Sequence, residues 1–522
     1  MLDWNPFPYK GYIDANNHFL NSLLGGFFVR LFNSEAMWVC RLANVLIFPV
    51  FYWSVVGFRK FFKEKSSYLL LLVSLTCTVF LLDFFSLARG YGLAWGFLLL
   101  ALISTANYIE NKLFKSLAWA VMSWILCVYA NLSLITVSLI GMTLLQVLSI
   151  QQRKRGQIIL IASSFILLSG AIYYALFLQE IGKLYLGNES DFIATTLHNL
   201  STLLFSIEHL SIDIVVVSVF ALVIIKCTKS IYNNRFEIKV NHLFYIFLSL
   251  SVLAIFAQNF LLSVNFPEDR SATFLVIFFY GSISFLIDQA RFKRISQAIS
   301  SILFLFFIAQ VNLTHTRTYY YEHMDKELIS LIPPLTEGIP TSTGGRFWSM
   351  DNELIKVEKL PAYTFQLSGF REDTLTDYII HLPELRPFIE KVYSKIHEDQ
   401  ISGLALYKRK EFLKRRKLYG FGKGVNSKQE YIQLHKEPIV TPCFIRITGN
   451  LNELDFYDQM NVVLVAQDSL SGKDYFGKAF SLLERIAADE TGNISFDFTY
   501  TIKKSPKQTN LKYSFTIKSD CK

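Results

Sequence analysis

Ten apolar stretches, each close to the length that crosses a bilayer, follow one another between residues 39 and 312. They lie near 39–58, 66–86, 91–109, 113–130, 132–150, 157–178, 212–227, 242–263, 271–288 and 295–312. In hydrocarbon only a helix satisfies its own backbone within one segment, so each stretch is expected to be helical. The expected fold is therefore a polytopic α-helical membrane protein of about ten spans. The fourth and fifth form a tight hairpin around Tyr129–Ser133, and the seventh is short for a span.

Basic residues set the orientation, because Lys and Arg are retained on the cytoplasmic side. One set of loops holds Arg59, Lys60, Lys63, Lys65, Lys112, Lys115, Arg153, Lys154, Arg155, Lys226, Lys229, Arg235, Lys239, Arg291, Lys293 and Arg294. The short loops on the opposite side offer three cations only: Arg89, Lys183 and Arg270. The first set is read as cytoplasmic and the second as external. The net charge of +9 is thus a topology signal rather than a nucleic-acid footprint, and no nucleic acid is expected as a partner. The expected setting is the cytoplasmic (inner) membrane, crossed many times, with membrane lipids as partners. The same alternation puts the chain's start outside, with no leading span to carry it there. A missing upstream span is the favoured expectation, and unaided translocation of the short N-terminus is the other.

After residue 312 the chain is polar enough for domains in water. Residues 313–411 mix helical and extended patterns, with breaks at Pro333-Pro334 and Gly344-Gly345. Within 412–522 the period becomes two over Cys443–Thr448, Val462–Ala466, Ser495–Lys503 and Leu511–Lys518, which predicts a small β-sandwich. Both regions are expected to be extracytoplasmic. Cys443 and Cys521 fall on the first and last of those strands and could pair as neighbours. No Cys or His spacing suggests a metal site.

Before the first span lies DANNHFLNSLLGGFFVRLF, residues 14–32. Leu20, Leu23, Leu24, Phe27, Phe28 and Leu31 make one apolar stripe at helical spacing, and His18 and Asn21 share another face. The segment is too short to span, so it reads as an interfacial helix with a polar head of Asp14, Asn16, Asn17, His18 and Asn21. That head is either the edge of an active site or a helix start capped by Asp14 or Asn16. Further unusual polar groups sit at external span ends. Asp83, Arg89 and Tyr91 flank the turn LLDFFSLARGYG, Arg41 opens the first span, and Glu268, Asp269 and Arg270 follow one another in NFPEDR. Each has a bland reading as an interface anchor or solvated charge. The functional reading makes the arginines contacts for a phosphate or pyrophosphate.

Taken in order, HFLNSLLGGFFVRLFNSEAMWVCRLANVLIFPVFYW, SLARGYGLAWGFLLLAL and FPEDRSATF resemble the external elements of GT-C membrane glycosyltransferases. The closer similarity is to the family-39, protein-mannosyltransferase-like branch of bacteria, and it covers roughly residues 14–312. The resemblance implies a GT-C-like transmembrane domain over 1–312. It also implies transfer of a sugar from a polyprenyl-phosphate donor to a glycan, lipid or protein acceptor at the outer face of the membrane. No cofactor is implied beyond that lipid-linked sugar. The family's usual catalytic carboxylate lies in the first external loop, just after the first span. This sequence starts after that point, so the group is either upstream or replaced by Asp14. Substrate-binding roles then pass to Asn16, Asn17, His18, Asn21, Arg41, Asp83, Arg89, Tyr91, Glu268, Asp269 and Arg270. Two rivals stand beside this reading: a transporter or flippase for a lipid-linked glycan, and an inactive GT-C-like scaffold that presents the external domain.

The orientation makes one direct prediction. In a Lys293→Cys variant, a membrane-impermeant thiol reagent should label residue 293 from the cytoplasmic side only.

Overall fold

The structure is a computed structural model. It describes residues 18–34, 36–183, 192–205, 210–233, 237–312, 315–316, 323, 325–331, 341–344, 365–368, 378–381, 390, 392–410, 431–435, 443–451, 460–468, 474–481, 486–488, 494–502 and 511–519. The chain falls into two units, Met1–Thr318 and Tyr319–Lys522.

The described part of the first unit is helical. Its helices are α1 (Phe19–Phe32), α2 (Met37–Gly57), α3 (Lys65–Thr76), α4 (Val79–Ser86), α5 (Tyr91–Asn111), α6 (Phe114–Ala130) and α7 (Ile135–Gln151). They continue with α8 (Arg155–Glu180), α9 (His198–Phe205), α10 (Leu210–Asn233), α11 (Leu243–Leu262), α12 (Thr273–Ala290) and α13 (Lys293–Gln310). A helix lies at each of the ten expected places. Among the described residues, six are long and apolar enough to cross a membrane: Trp38–Phe61, Tyr91–Asn111, Leu132–Gln151, Arg155–Glu180, Val240–Leu262 and Arg270–Ala290. The pair α3 and α4 makes a seventh if counted as one bent span. The expectation of about ten goes beyond this count, and α6 in particular has only 17 residues.

The second expected span, 66–86, is not continuous. It breaks at Cys77–Thr78 with a bend of 48°. Hydroxyls explain the break. Thr76 Oγ1 donates to Leu72 O at 2.7 Å and Thr78 Oγ1 to Ser74 O at 2.5 Å, and such back-bonding loosens the helical ladder. The α6–α7 hairpin follows the sequence pattern. The Asn131 side chain accepts the Ser133 N–H at 3.1 Å and turns the chain within a few residues.

α5 and α12 are the most enclosed helices, and α5 packs against α2 and α6. Trp95, Tyr108, Trp124, Phe244, Phe247 and Phe278 are fully buried around them. At the end carrying the basic loops, Asp288 of α12 is 3% exposed. It accepts the backbone N–H groups of Lys63 at 3.2 Å and Glu64 at 2.8 Å. Glu64 pairs in turn with Lys293 at 3.1 Å. This carboxylate fastens the start of α3 to the end of α12.

The helix expected over 14–32 begins later than expected. α1 starts at Phe19 with His18 as its N-cap, and no side chain caps it, so the expected Asp14 or Asn16 cap gives way to His18. Asp14, Asn16 and Asn17 lie outside the described residues. α1 ends in a left-handed Asn33, whose short polar side chain tolerates φ 45°. Phe27, Leu31 and Phe32 stand exposed along it.

In the second unit, α14 (Lys326–Ser330) accompanies twelve strands: β1 (Thr341–Gly344), β2 (Phe365–Ser368), β3 (Tyr378–His381), β4 (Tyr393–Glu398), β5 (Ala405–Arg409), β6 (Tyr431–His435), β7 (Cys443–Leu451), β8 (Met460–Asp468), β9 (Asp474–Ser481), β10 (Ile486–Ala488), β11 (Ile494–Ile502) and β12 (Leu511–Ser519). The first five form a mixed sheet ordered β2-β1-β3-β5-β4. Two antiparallel sheets follow, β10-β11-β7 and β6-β12-β8-β9. The four period-two segments are thus strands. β7, which carries Cys443, pairs with β11 along nine residues, while β12 lies in the other sheet. Cys521 lies outside the described residues.

Asp399 anchors the turn between β4 and β5 by accepting the N–H groups of Ile401 at 2.7 Å and Ser402 at 3.0 Å. It also takes His323 Nδ1 at 2.8 Å and the Asp325 N–H at 2.7 Å, so the segment before α14 is tied to this hairpin.

Removing the Asp288 carboxylate loses charge-assisted hydrogen bonds to two backbone amides. Asp288→Ala should lower stability by about 1.5–3 kcal/mol, with Asp288→Asn milder. Thermal unfolding in detergent measures both.

Candidate functional site

Side chains at the head of α1 reach backbone carbonyls at the end of α6 and in the 87–90 turn. His18 Nδ1 lies 3.0 Å from Ala130 O, at the end of α6. A carbonyl only accepts, so Nδ1 carries the proton and donates it. Tyr91 packs edge-on against the imidazole, with ring centroids 4.9 Å apart. Beneath the ring lies Gly90. A Cβ added there would sit 2.2 Å from Ala130 O and 2.6 Å from His18 Cβ, so only glycine lets the turn, α6 and His18 come this close.

One helical turn along, Asn21 Nδ2 donates to Ala88 O at 3.2 Å. Asn21 Oδ1 accepts Asn44 Nδ2 at 2.7 Å, and Asn44 Oδ1 accepts the Leu93 N–H at 3.0 Å. Asn44 is fully buried in α2. This relay links α1, α2 and the first turn of α5, and it holds the 87–90 turn where it presents Arg89.

Arg270 reaches the same place from the far end of the sequence. Phe266 is buried against Phe192 and Phe256, with centroids at 5.8 and 5.6 Å. Thr196 Oγ1 donates to Pro267 O at 2.7 Å. The Ser271 hydroxyl donates to Glu268 O and the Thr273 hydroxyl to Arg270 O, which close the short 3₁₀ turn Asp269–Ala272 leading into α12. Arg270 therefore sits on a braced corner.

His18, Asn21, Ser22, Ala88, Arg89 and Arg270 line one cavity of about 310 Å³. Burial pushes the His18 imidazolium down to a pKa of about 4. The Ala130 carbonyl opposes the fall, and the charges of Arg270 and Arg89 add to it. His18 is therefore neutral at pH 7, with Nε2 as a bare acceptor. The cavity presents two guanidinium groups and one neutral imidazole, which suits an anion accompanied by a hydrogen-bond donor.

The expected residues divide accordingly. His18, Asn21, Arg89 and Arg270 come together around the cavity, and Tyr91 supports His18. Asp83 is buried on α4 and Arg41 half-buried on α2; neither lines the cavity, and Arg41 Nε is enclosed without a hydrogen-bond partner among the described residues. Glu268 shapes the corner through its backbone carbonyl, and Asp269 opens the turn. Sequence reasoning missed Asn44 and Ser22. Asn44 carried a readable signal, being an amide inside an apolar span and one helical turn beyond Arg41. Ser22 and the Ala130 carbonyl carried none. Among the described residues no group of three His, Cys, Asp or Glu is placed to hold a metal ion.

No protein-family model matches the chain, and no curated protein matches it. Among the solved structures that align with it are two of ArnT from Cupriavidus metallidurans. The structure bound to undecaprenyl phosphate aligns with TM-score 0.40 and 8% identity over 74% of this chain and 86% of that one. The apo structure aligns with TM-score 0.40 and 12% identity over 78% and 90%.

The His18 shift gives stability a pH dependence of known sign. The unfolded histidine takes up a proton near pH 6.5 and the folded one only near 4. Stability should fall as pH drops from about 6.5 to about 4 and level off below that range. Melting curves of wild type and His18→Gln over pH 4–7.5 test this, and the variant should lack this component of the slope.

Proposed function

We propose that the protein is an integral-membrane glycosyltransferase that moves a sugar from a polyprenyl-phosphate donor to a glycan, lipid or protein acceptor at the outer face of the cytoplasmic membrane. One observation carries the reading. The short loops read as external hold only Arg89, Lys183 and Arg270, and two of these three cations line the same cavity. On a side depleted of positive charge, two arginines on one cavity are poor topology signals and good phosphate ligands. The cavity opens beside α1, whose exposed Phe27, Leu31 and Phe32 offer a surface for a lipid tail. The ordered motifs that resemble GT-C enzymes support the same reading.

The chemistry follows from the charges. A base takes the proton of the acceptor hydroxyl while its oxygen attacks the anomeric carbon. The bond from that carbon to the phosphate oxygen breaks, and polyprenyl phosphate leaves with added negative charge. Arg89 and Arg270 stabilise that charge as it develops, within a site of low dielectric. Asp14, four residues before His18 in the chain, is the proposed base. Asn21 and Ser22 supply hydrogen bonds to sugar or phosphate oxygens.

A transporter of a lipid-linked glycan is the second reading. The 48° break between α3 and α4 favours it, since transporters use interrupted spans. The two readings separate in one assay, with radiolabelled polyprenyl-phosphate sugars presented to membranes containing the protein. Arg89→Ala and Arg270→Ala should each lower transfer about a hundredfold, with Lys restoring part of it. Movement of labelled lipid across proteoliposomes without any sugar transfer would favour the transporter instead.

A further inference from the structure

The His18 ring has one nitrogen committed and one open. Nδ1 gives its proton to Ala130 O, while Nε2 makes no hydrogen bond among the described residues, and the ring lines the cavity. The tautomer is fixed by geometry, because a carbonyl partner leaves no choice about which nitrogen bears the hydrogen. Ring rotation is hindered by Tyr91 on one side and by Gly90, where even a methyl group would collide with the His18 Cβ. Nε2 therefore meets the ligand as a lone pair.

That lone pair discriminates. It repels the oxygens of a phosphate dianion and cannot donate to them. The neighbouring Arg89 and Arg270 oppose a proton on the ring that would reverse its role. A ligand that satisfies the whole cavity brings an anion for the guanidiniums and an O–H for the imidazole. A bare polyprenyl phosphate bound as the dianion has only the first. A glycosyl phosphate has both, since hydroxyls of the sugar lie within a few bonds of the phosphate.

We propose that His18 Nε2 accepts a hydrogen bond from a sugar hydroxyl of the bound donor, so that the cavity selects the glycosylated lipid phosphate over the bare one. The inference rests on the reading that Arg89 and Arg270 hold the lipid phosphate. It makes His18 the residue that separates substrate from leaving group: once the sugar has gone, the hydroxyl goes with it and the acceptor is left unmet. A polar site deprived of its partner disfavours the ligand that lacks it.

The test uses the full chain in nanodiscs with two probes, undecaprenyl phosphate and undecaprenyl phosphoglucose, the latter also as its 2-deoxy analogue. Wild type should bind the glycosylated lipid about tenfold more tightly than the bare one. His18→Asn keeps a donor where Nδ1 stands and has no atom at Nε2, so it should bind both lipids alike. His18→Gln places an amide near Nε2 and should retain part of the preference. In ligand-free protein labelled with 15N-histidine, the His18 signal at pH 7, assigned by its loss in His18→Asn, should show a protonated Nδ1 and a bare Nε2. The bare nitrogen should shift when the glycosylated lipid is added. A protonated Nε2, equal binding of the two lipids by wild type, or a preference that survives in His18→Asn would overturn the inference while leaving the phosphate reading standing. Binding of neither lipid, or binding of the bare lipid unchanged in both Arg89→Ala and Arg270→Ala, would overturn that reading and the inference with it.

Discussion

An amide buried in apolar surroundings must find partners for both its ends, and Asn44 finds them on two other helices. It gives a proton to Asn21 of α1 and takes one from the first turn of α5. Each bond is worth about 1 kcal/mol net, but leaving either end unmet in this environment costs more, so the relay acts as a register pin. α1 cannot slide along α2 by one residue, and the first turn of α5 cannot drift from α2, without orphaning an end of the buried Asn44 amide. The placement of His18 and Arg89 descends from that constraint.

The second support is hydrophobic and comes from far along the chain. Phe266 is anchored in a cluster with Phe192 and Phe256, which fixes the corner before α12. Arg270 is thereby presented by packing, while Arg89 is presented by hydrogen bonds. The two cations reach one cavity through independent scaffolds, and neither support involves the other's residues. Each is carried on braced backbone, so the lining of the cavity is arranged before any ligand arrives.

Much of this was legible in the chain. Arg89 and Arg270 stood out because charge is scarce on their side, and His18 and Asn21 because three-residue spacing put them on one helical face. What could not be read was contact between distant segments. Arg41 and Asp83 looked equivalent to Arg89 by position, yet they do not line the cavity, and nothing in a one-dimensional pattern distinguishes the two cases. The break in the second span was signalled by Ser74, Thr76 and Thr78, whose hydroxyls compete for backbone carbonyls, but apolar length outweighed that signal. The strands after residue 443 were visible in their alternation. Their division between two sheets was not, because pairing depends on partners that alternation does not name.

Gly90 carries a consequence for how this chain can vary. Its missing side chain and the imidazole of His18 occupy what amounts to one volume, bounded by the Ala130 carbonyl. Position 90 is therefore tied to position 18 in one direction: His18 can shrink with Gly90 kept, but a side chain gained at 90 would meet both the imidazole and the Ala130 carbonyl. In a lineage descended from this sequence, any member with a larger residue at 90 is expected to have abandoned the histidine, and with it whatever that ring reads. The histidine can be given up with the glycine kept, but the glycine cannot be given up with the histidine kept, a one-way dependence written by steric exclusion across 72 positions of chain.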